Sequence, residues 1–317
     1  MSRVVVAGAS GFMGQRIVSA MRADGDEVVT IGRGPDADAQ WGDTAAILAL
    51  IDGAVLVLNL AGRSVNCRYT PHNREVILRS RIDTTRAIGE AIAAAAEPPP
   101  LWLNSSTATI YRHAVDHEQT EADGELGTGF SVGIATAWEA EFFRHDLPAT
   151  RRVALRTAIV LGDGSVLTPL ARLARVGLGG AHLDGDWPSS ARRRAAGTDH
   201  RFGIGGGRQR FPWVHIDDVI GIIRFLRDRP DLDGIVNVSS PSPSDDRGVM
   251  ASIRRVLGVP FGVPMPRWML EIGAAVIRTE TELVLKSRWV VPKRLLDAGF
   301  RFEHPDLEPA LRDILQR

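Results

Sequence analysis

The chain has 317 residues, of which 44% are hydrophobic and 24% are charged, and its formal net charge is zero. This composition is typical of a globular protein with a substantial core, and it gives no overall field that would attract nucleic acid or an anionic membrane. Cys67 is the single cysteine, which excludes an intramolecular disulfide and a cysteine-based zinc site. No apolar run approaches the length of a membrane span. We therefore expect a cytoplasmic protein with a small-molecule substrate, no metal, and no nucleic-acid or membrane partner; a homodimer is an open alternative.

Short apolar runs alternate with helical stretches through the first hundred residues. Strands are predicted at residues 4–7, 27–31, 54–60 and 101–104, and helices at 12–22, 45–51 and from Thr70 to the proline run that begins at Pro98. Thr70 followed by Pro71 is a typical helix start, because the threonine caps the helix and proline fits its first turn. Alternation of this kind predicts an α/β fold, a Rossmann-type doubly wound parallel sheet.

The second half is less regular. A strand is predicted at residues 153–162, a helix at 168–176, renewed apolar patterning at 211–219, strands at 235–238 and near Phe261, and an amphipathic helix from Leu307. Residues 177–207 are rich in Gly, Arg and Asp with little periodicity, which indicates either a solvated insertion or a lid over the substrate. We predict a cofactor domain of residues 1–163 plus 211–240. A smaller substrate domain would comprise 164–210 plus 241–317, with 182–204 as a flexible insertion.

A glycine-rich loop joins the first predicted strand to the first helix. The run VVVAGASGFMGQ, residues 4–15, spaces three glycines as G-x-x-G-x-x-G. In a dinucleotide site Gly8 makes the tight turn, Gly11 lets the backbone approach a pyrophosphate, and Gly14 lets the helix pack closely on the sheet. The strand before the loop and the helix after it provide the context that this motif requires. The predicted cofactor contacts here are Gly8, Ser10, Gly11, Phe12, Met13 and Gly14.

The end of the second strand distinguishes the two nicotinamide dinucleotides. NAD sites place a carboxylate there for the ribose 2′-hydroxyl, whereas a basic side chain accepts the 2′-phosphate of NADP. The strand ends in Gly32 and Arg33 without an acid, which favours NADP. Asp36 and Asp38 follow in a loop and remain alternatives for the ribose.

With these residues placed, the chain resembles the extended short-chain dehydrogenase/reductases, and more closely their atypical branch of nucleoside-diphosphate-sugar epimerase-like proteins. The resemblance covers nearly the whole length. The segments that carry it are GASGFMG (8–14), NLAGRSV (59–65), SRIDTTRAIGEAI (80–92), AWEAE (137–141), LRTAIVLG (155–162), GGGRQRFPWVHIDDV (205–219) and VPKRLLDAGFRF (291–302). It implies a Rossmann domain and a smaller C-terminal substrate domain, with the nicotinamide in the cleft between them.

The same resemblance assigns further residues. It implies that Leu60, Ala61 and Gly62 pass beneath the adenosine and ribose, and that Arg81 on the long helix reaches the cofactor. It also assigns Thr107 as a catalytic hydroxyl, which would form a hydrogen bond with a substrate hydroxyl or carbonyl. From the residues alone, a solvated helix face is the alternative role for Arg81.

The proton-transferring pair of the broader family is missing. Active members carry Tyr-x-x-x-Lys, in which the lysine lowers the tyrosine pKa so that the phenol exchanges a proton at neutral pH. Ser131 and Ala135 occupy those two positions here, and no Tyr-x-x-x-Lys occurs anywhere in the chain. Tyr111 follows Thr107 on the adjoining loop and is our candidate for catalysis, acting through water; a purely structural role is the alternative.

Several other patterns have simpler explanations. GFSVG, residues 129–133, has the spacing of a hydrolase nucleophile elbow, but a polar segment precedes it instead of the obligatory strand, so Ser131 is predicted in the first turn of a helix. His113 and His117 lie in a loop without further metal ligands. His215 and Asp217 are predicted to connect the two domains rather than to do chemistry.

The substrate side is ambiguous. Family members often carry G-x-G-x-Q-x-R, whose arginine binds the diphosphate of a nucleotide sugar; Gly205, Gly207 and Gln209 fit, but Phe211 stands in the arginine position. Arg208 and Arg210 flank Phe211 and are possible substitutes. Two functions remain open: an NADP-dependent oxidoreductase or epimerase acting on a polar hydroxyl or carbonyl substrate, and a non-catalytic NADPH-binding sensor.

Overall fold

A seven-stranded parallel sheet forms the centre of the protein. The computed structural model describes residues 1–188, 190–195, 199–276 and 279–316. The strands of this part of the chain are β1 (Arg3–Ala7), β2 (Glu27–Gly32), β3 (Ala39–Gln40), β4 (Leu56–Asn59), β5 (Leu101–Thr107), β6 (Arg151–Thr157), β7 (Ile159–Leu161), β8 (Arg210–Phe211), β9 (Trp213–His215), β10 (Gly234–Val238) and β11 (Ser244–Asp245). Two further sheets have two strands each, β7 with β9 and β8 with β11.

Helices connect and cover these strands. They are α1 (Phe12–Ala23), α2 (Thr44–Ile51), α3 (Pro71–Ala94), α4 (Phe130–Phe143), α5 (Leu167–Arg175), α6 (Ala191–Ala195), α7 (Ile216–Asp228), α8 (Asp246–Leu257), α9 (Arg267–Val276), α10 (Glu282–Leu285), α11 (Lys293–Asp297) and α12 (Leu307–Leu315). Within the described ranges, every helix is too short or too polar to cross a bilayer.

The strand order of the central sheet is β10-β6-β5-β4-β1-β2-β3, and all its pairs are parallel. The chain builds outward from β1 to β3 and then crosses to β4 on the other side of β1. This reversal leaves a crevice beyond the carboxyl ends of β1 and β4, which is where ligands bind in doubly wound sheets. A hydrophobic core lies on each face of the sheet. Successive residues of β1 point to alternate faces, so Val4 and Val6 belong to one core and Val5 and Ala7 to the other. The predicted doubly wound α/β fold is confirmed.

Two sequence-based element predictions are wrong. The single strand predicted at 153–162 is divided at Ala158, where the chain leaves the central sheet and Ile159 pairs with Trp213 instead. The strand predicted near Phe261 does not form, and this side chain is 65% exposed. Pro260 and Pro264 on either side lack the N–H that a ladder needs.

The chain between α5 and β8 is anchored on the C-terminal lobe, which comprises helices α8 to α12. His182 is buried, and its Nδ1 lies 2.7 Å from Asp246 Oδ1 at the start of α8. Asp184 makes a 2.7 Å ion pair with the buried Arg267 of α9. The flexible insertion predicted at 182–204 includes residues 189 and 196–198, which lie outside the described residues, so its mobility stays a prediction.

Candidate active site

The glycine loop between β1 and α1 is packed too closely for side chains at two of its positions. Gly8 has φ of +82°, and a Cβ on it would lie 2.8 Å from the backbone nitrogen of Ala61. A Cβ on Gly14 would lie 2.5 Å from the carbonyl oxygen of Gly8. Glycine at both positions therefore lets the loop fold tightly between β4 and the first turn of α1.

The amino end of α1 fits an anionic group. Gly11 caps this helix without a side chain that accepts its free N–H groups, and no acidic residue lies in the first turn. A Cβ on Gly11 would meet nothing closer than the Gly8 oxygen, at 3.6 Å, so the space in front of the helix is open. Uncapped N–H groups and the positive end of the helix dipole are the groups that bind a diphosphate.

The end of β2 favours a phosphate over a ribose hydroxyl. Arg33 is exposed and forms no hydrogen bond or ion pair with the residues that the structure describes. Asp38 already has partners within the protein: its Oδ2 accepts hydrogen bonds from both the backbone nitrogen and the Oγ1 of Thr30, each at 2.8 Å. Asp36 is exposed in the following turn. Arg33 is thus the basic side chain at this position that is available to a phosphate, while Asp36 stays an alternative for the ribose.

A cavity of about 320 Å³ opens at the carboxyl ends of β4 and β5, next to the glycine loop. Its walls bring together Met13, Leu60, Ala61, Gly62, Arg81 and Thr107 from the predicted site. Four polar residues that the sequence did not single out for this place also line it: Ser105, Ser106, Thr109 and Tyr69. Ser131, which stands in the family tyrosine's position, lines it too. The cavity therefore combines predicted cofactor residues with the hydroxyls that a carbonyl or hydroxyl substrate needs.

Arg81 contributes a positive charge to this cavity. Its guanidinium donates hydrogen bonds to the carbonyl oxygens of Arg63 and Ile77, each at 3.0 Å, and lies 5.1 Å from the ring of Trp138. Burial lowers the pKa of Arg81 to about 10. No carboxylate of the described part of the chain lies within ion-pair distance, so its charge is available to an anionic ligand. Arg81 therefore lies in the wall of the cavity and not on a solvated face of α3.

Tyr111 lies away from the cavity. It is fully buried, and its hydroxyl lies 2.8 Å from Asn237 Oδ1 and 3.1 Å from the carbonyl oxygen of Thr120. The guanidinium of Arg156 lies 4.9 Å from its ring. Burial raises the pKa of Tyr111, with smaller opposing contributions from Arg156. These contacts hold Tyr111 in the core, which agrees with a structural role. They do not place its phenol beside Thr107, where a substrate would lie.

A different tyrosine lines the cavity. Tyr69 comes from the segment between β4 and α3, is 6% exposed, and packs edge-on against Phe130 at 4.8 Å. It shares the cavity wall with Ser131, the residue that stands in the family tyrosine's position. Burial raises the pKa of Tyr69 to about 12; the Ser131 side chain lowers this pKa, whereas the negative charge of Glu282 acts in the same direction as burial. The structure thus brings a phenol next to the position where the sequence lacks one.

Sequence reasoning missed Tyr69 because it searched for a tyrosine four residues before a lysine. The contact between Tyr69 and Ser131 joins residues 62 positions apart. No local spacing signals such a contact. The nearest sequence clue was the count of only two tyrosines, which left Tyr69 as the other phenol in the chain.

Two of the recognised motifs meet beneath the cavity. Glu139 of AWEAE accepts hydrogen bonds from the Nε and Nη2 of Arg156 of LRTAIVLG, at 2.9 and 2.8 Å. The same carboxylate accepts the hydroxyl of Ser106, a cavity residue, at 2.6 Å. Both charged side chains are buried. This ion pair therefore fixes the position of Ser106 at the end of β5.

Three histidines of the sequence motifs have partners outside the cavity: His113, His117 and His215. His113 Nδ1 accepts a hydrogen bond from the backbone nitrogen of Ser287, whereas the His117 ring lies between the carboxylates of Asp116 and Glu125. These two residues therefore do not share a site. His215 Nδ1 accepts a hydrogen bond from the backbone nitrogen of Asp217. Its Nε2 lies 3.4 Å from the carboxylate of Asp313 on α12, and its ring lies 3.8 Å from the ring of His304. One ligand atom from each of His215, Asp217, His304 and Asp313 lies within 4.8 Å of the others.

The predicted diphosphate-binding segment also lies elsewhere. Phe211 packs into the core of the C-terminal lobe, and the guanidinium of Arg210 stacks on Trp289 at 4.2 Å. Arg208 is exposed, and the buried Gln209 donates a hydrogen bond to the carbonyl oxygen of His182. Gly205 is exposed and Gly207 is buried on the approach to β8, and neither residue lines this cavity. None of these residues lines the cavity beside Thr107.

Sequence comparison identifies the family. A profile of the NAD dependent epimerase/dehydratase family matches residues 4–135, and a profile of a domain of unknown function, DUF1731, matches residues 265–314. The epimerase family protein SDR39U1 of Bos taurus is 31% identical over 320 residues, covering 99% of this chain and 99% of the relative. The chain belongs to the epimerase family. The resemblance to the epimerase-like branch of the extended short-chain dehydrogenase/reductases is thereby confirmed.

Other relatives extend this comparison. The epimerase family protein YfhF of Bacillus subtilis (strain 168) is 28% identical, covering 98% of this chain and 97% of the relative. The crystal structure of human epimerase family protein SDR39U1 (isoform2) with NADPH matches with a TM-score of 0.84 and 27% identity over 99% of both chains. A UDP-N-acetylglucosamine 4-epimerase from Bacillus cereus shares the fold alone, with a TM-score of 0.71 and 13% identity over 99% of this chain and 95% of its own.

Proposed function

We propose that this protein is an NADP(H)-dependent oxidoreductase or epimerase that acts on a polar carbonyl or hydroxyl substrate. One observation supports this most. The uncapped amino end of α1 and the polar cavity beside Thr107 meet at Met13, which belongs to the first turn of the helix and also lines the cavity. A dinucleotide held by the helix would therefore present its reactive end where the hydroxyls converge.

The residues around the loop fit the cofactor. The backbone N–H groups of residues 12–14 would hold the diphosphate, and Arg33 the 2′-phosphate. The human relative crystallised with NADPH supports the same choice for this chain. When bound, NADPH supplies a hydride. We further propose the division into a cofactor domain of residues 1–163 plus 211–240 and a substrate domain of 164–210 plus 241–317.

Thr107 and Tyr69 would orient and protonate the substrate. Thr107 Oγ1 accepts a hydrogen bond from the backbone nitrogen of Thr109 at 3.1 Å, which leaves its own hydrogen for a carbonyl oxygen. With a pKa of about 12, Tyr69 is protonated at neutral pH and can act as the acid. In a reduction, Tyr69 would give its phenolic proton to the carbonyl oxygen of the substrate, and the resulting tyrosinate would be reprotonated from solvent.

The test combines binding and turnover. NADPH is expected to raise the melting temperature of the protein, and its absorbance at 340 nm should fall when a panel of polar aldehydes and ketones is supplied. A non-catalytic sensor is the second candidate, favoured by the absence of Tyr-x-x-x-Lys from the sequence. Tight NADPH binding without oxidation by any member of the panel would support the sensor. Failure of NADPH to bind would reject both functions.

A further inference from the structure

A small recess of about 70 Å³ lies next to the main cavity. The two spaces share Thr107, Thr109 and Thr157 in their walls. On its far side the recess is lined by Arg288, which comes from the segment between α10 and α11. A group in the recess would therefore lie within a few bonds of a carbon positioned beside Thr107.

Arg288 is a buried cation without a hydrogen-bonding partner. The residue is only 4% exposed, and its Nε is buried without an acceptor. Among residues 1–188, 190–195, 199–276 and 279–316, no side-chain or carbonyl oxygen accepts a hydrogen bond from its guanidinium. Buried guanidinium groups are normally satisfied, because a charge removed from water without compensation is costly. Arg288 lines the recess, which is the open space next to this side chain.

The surrounding charges leave room for an anion. Lys286 is 5% exposed, donates a hydrogen bond to the Thr109 carbonyl oxygen at 2.9 Å, and experiences repulsion from Arg288. Burial, together with this repulsion, lowers the pKa of Lys286 to about 8. Glu282 attracts both cations, but its Oε2 accepts the Ser131 hydroxyl and lies 3.5 Å from His200 Nε2. An oxyanion beside Arg288 would offset this repulsion.

We propose that Arg288 binds an oxyanion of the substrate in this recess, and that the substrate is therefore a small acid whose reacting carbon lies beside Thr107. A guanidinium presents paired N–H donors that match the two oxygens of a carboxylate or a phosphate. The hydroxyls of Thr107 and Thr109 add polar contacts on the side that faces the main cavity. The reaction assigned to this acid rests on the proposed function, whereas binding of the oxyanion requires no turnover.

Calorimetric titration of two anions tests the recess. Oxamate, which carries a carboxylate beside a carbonyl group, and inorganic phosphate are titrated separately into the protein saturated with NADP⁺ and into the cofactor-free protein. The wild type is expected to bind one of them saturably, and the one that binds identifies a carboxylate or a phosphate substrate. Arg288→Met should weaken that binding by at least about tenfold, the usual loss for a charge-assisted hydrogen bond.

Two further variants make the result decisive. Arg301→Met removes an exposed arginine of the same C-terminal segment and should leave anion binding unchanged. Arg288→Lys keeps the charge but loses the paired donors, and should bind more weakly than the wild type even if Arg288→Met folds poorly. Equal affinity in the wild type and both Arg288 variants, or no saturable binding of either anion by the wild type, would overturn the proposal. Anion binding by a protein that does not bind NADPH would support the recess while rejecting the proposed function.

Discussion

The Ser131 hydroxyl donates a hydrogen bond of 3.2 Å to Glu282 Oε2, which joins the first turn of α4 to α10 across 151 positions of sequence. This contact connects the sheet-bearing part of the chain to the C-terminal lobe at the wall of the cavity. It also holds a carboxylate near the phenol of Tyr69, whose pKa it helps to raise. The cavity is thus formed by both parts of the chain.

Arg33 is expected to determine the preference between the two cofactors. NADPH should raise the melting temperature of the wild type more than NADH does, because ligand stabilisation grows with affinity. Arg33→Ala should weaken NADPH binding by about 10- to 100-fold, the effect of a lost charge-assisted hydrogen bond, and leave NADH binding unchanged. Thermal shift and calorimetry measure both effects. The control is Arg79→Ala, which removes an exposed arginine of α3; equal stabilisation of the wild type by NADPH and NADH would contradict the prediction.

Tyr69→Phe should reduce kcat by about 10²–10⁴ on any carbonyl that the wild type reduces, because it removes the proposed acid. The ring and its packing against Phe130 are retained, so NADPH binding should persist. The decrease in absorbance at 340 nm measures turnover, and the thermal shift with NADPH measures binding. Tyr111→Phe is the informative comparison, since its hydroxyl contacts Asn237 and not the cavity. A greater loss of kcat for Tyr111→Phe than for Tyr69→Phe would reject this assignment.

Glu139→Gln should destabilise the protein by about 3–5 kcal/mol, because it leaves the charge of Arg156 buried without its partner. Urea unfolding measures this loss of free energy. The double variant Glu139→Gln/Arg156→Met should recover part of the loss, since it removes the uncompensated charge as well. A free energy of unfolding within about 1 kcal/mol of the wild type for Glu139→Gln would show that the pair contributes little.

Lys286→Met should show a stability difference from the wild type that depends on pH. Burial lowers the Lys286 pKa in the folded protein from 10.5 to about 8. Between about pH 8 and 10.5 the unfolded chain therefore binds a proton that the folded chain has lost, so wild-type stability rises with pH by up to about 1.4 kcal/mol per unit. The variant lacks this slope. The free energy of unfolding of the wild type should therefore rise relative to that of the variant across this pH window. Urea unfolding at pH 7, 8, 9 and 10 measures it, and a difference independent of pH would refute the shift.

Local sequence patterns determined the Rossmann part of this protein. The apolar run at Val4, the three glycines of the loop and the capped start at Thr70 act through contacts within a few residues, so their spacing is visible in one dimension. The strand at 153–162 was divided instead because Ala158 leaves one sheet for another. That exchange depends on Trp213, which lies far along the chain.

The tertiary structure alone decided which ionisable groups meet. Tyr69 reaches Ser131, Glu139 pairs with Arg156, and Arg288 lines a recess beside Thr107, although none of these neighbours is close in sequence. The physical reason is that hydrophobic periodicity encodes which face of an element is buried, whereas a pKa or an unpartnered charge depends on the partners that folding brings within a few ångströms. The sequence by itself therefore determined the cofactor loop, and folding determined the candidate chemistry beside it.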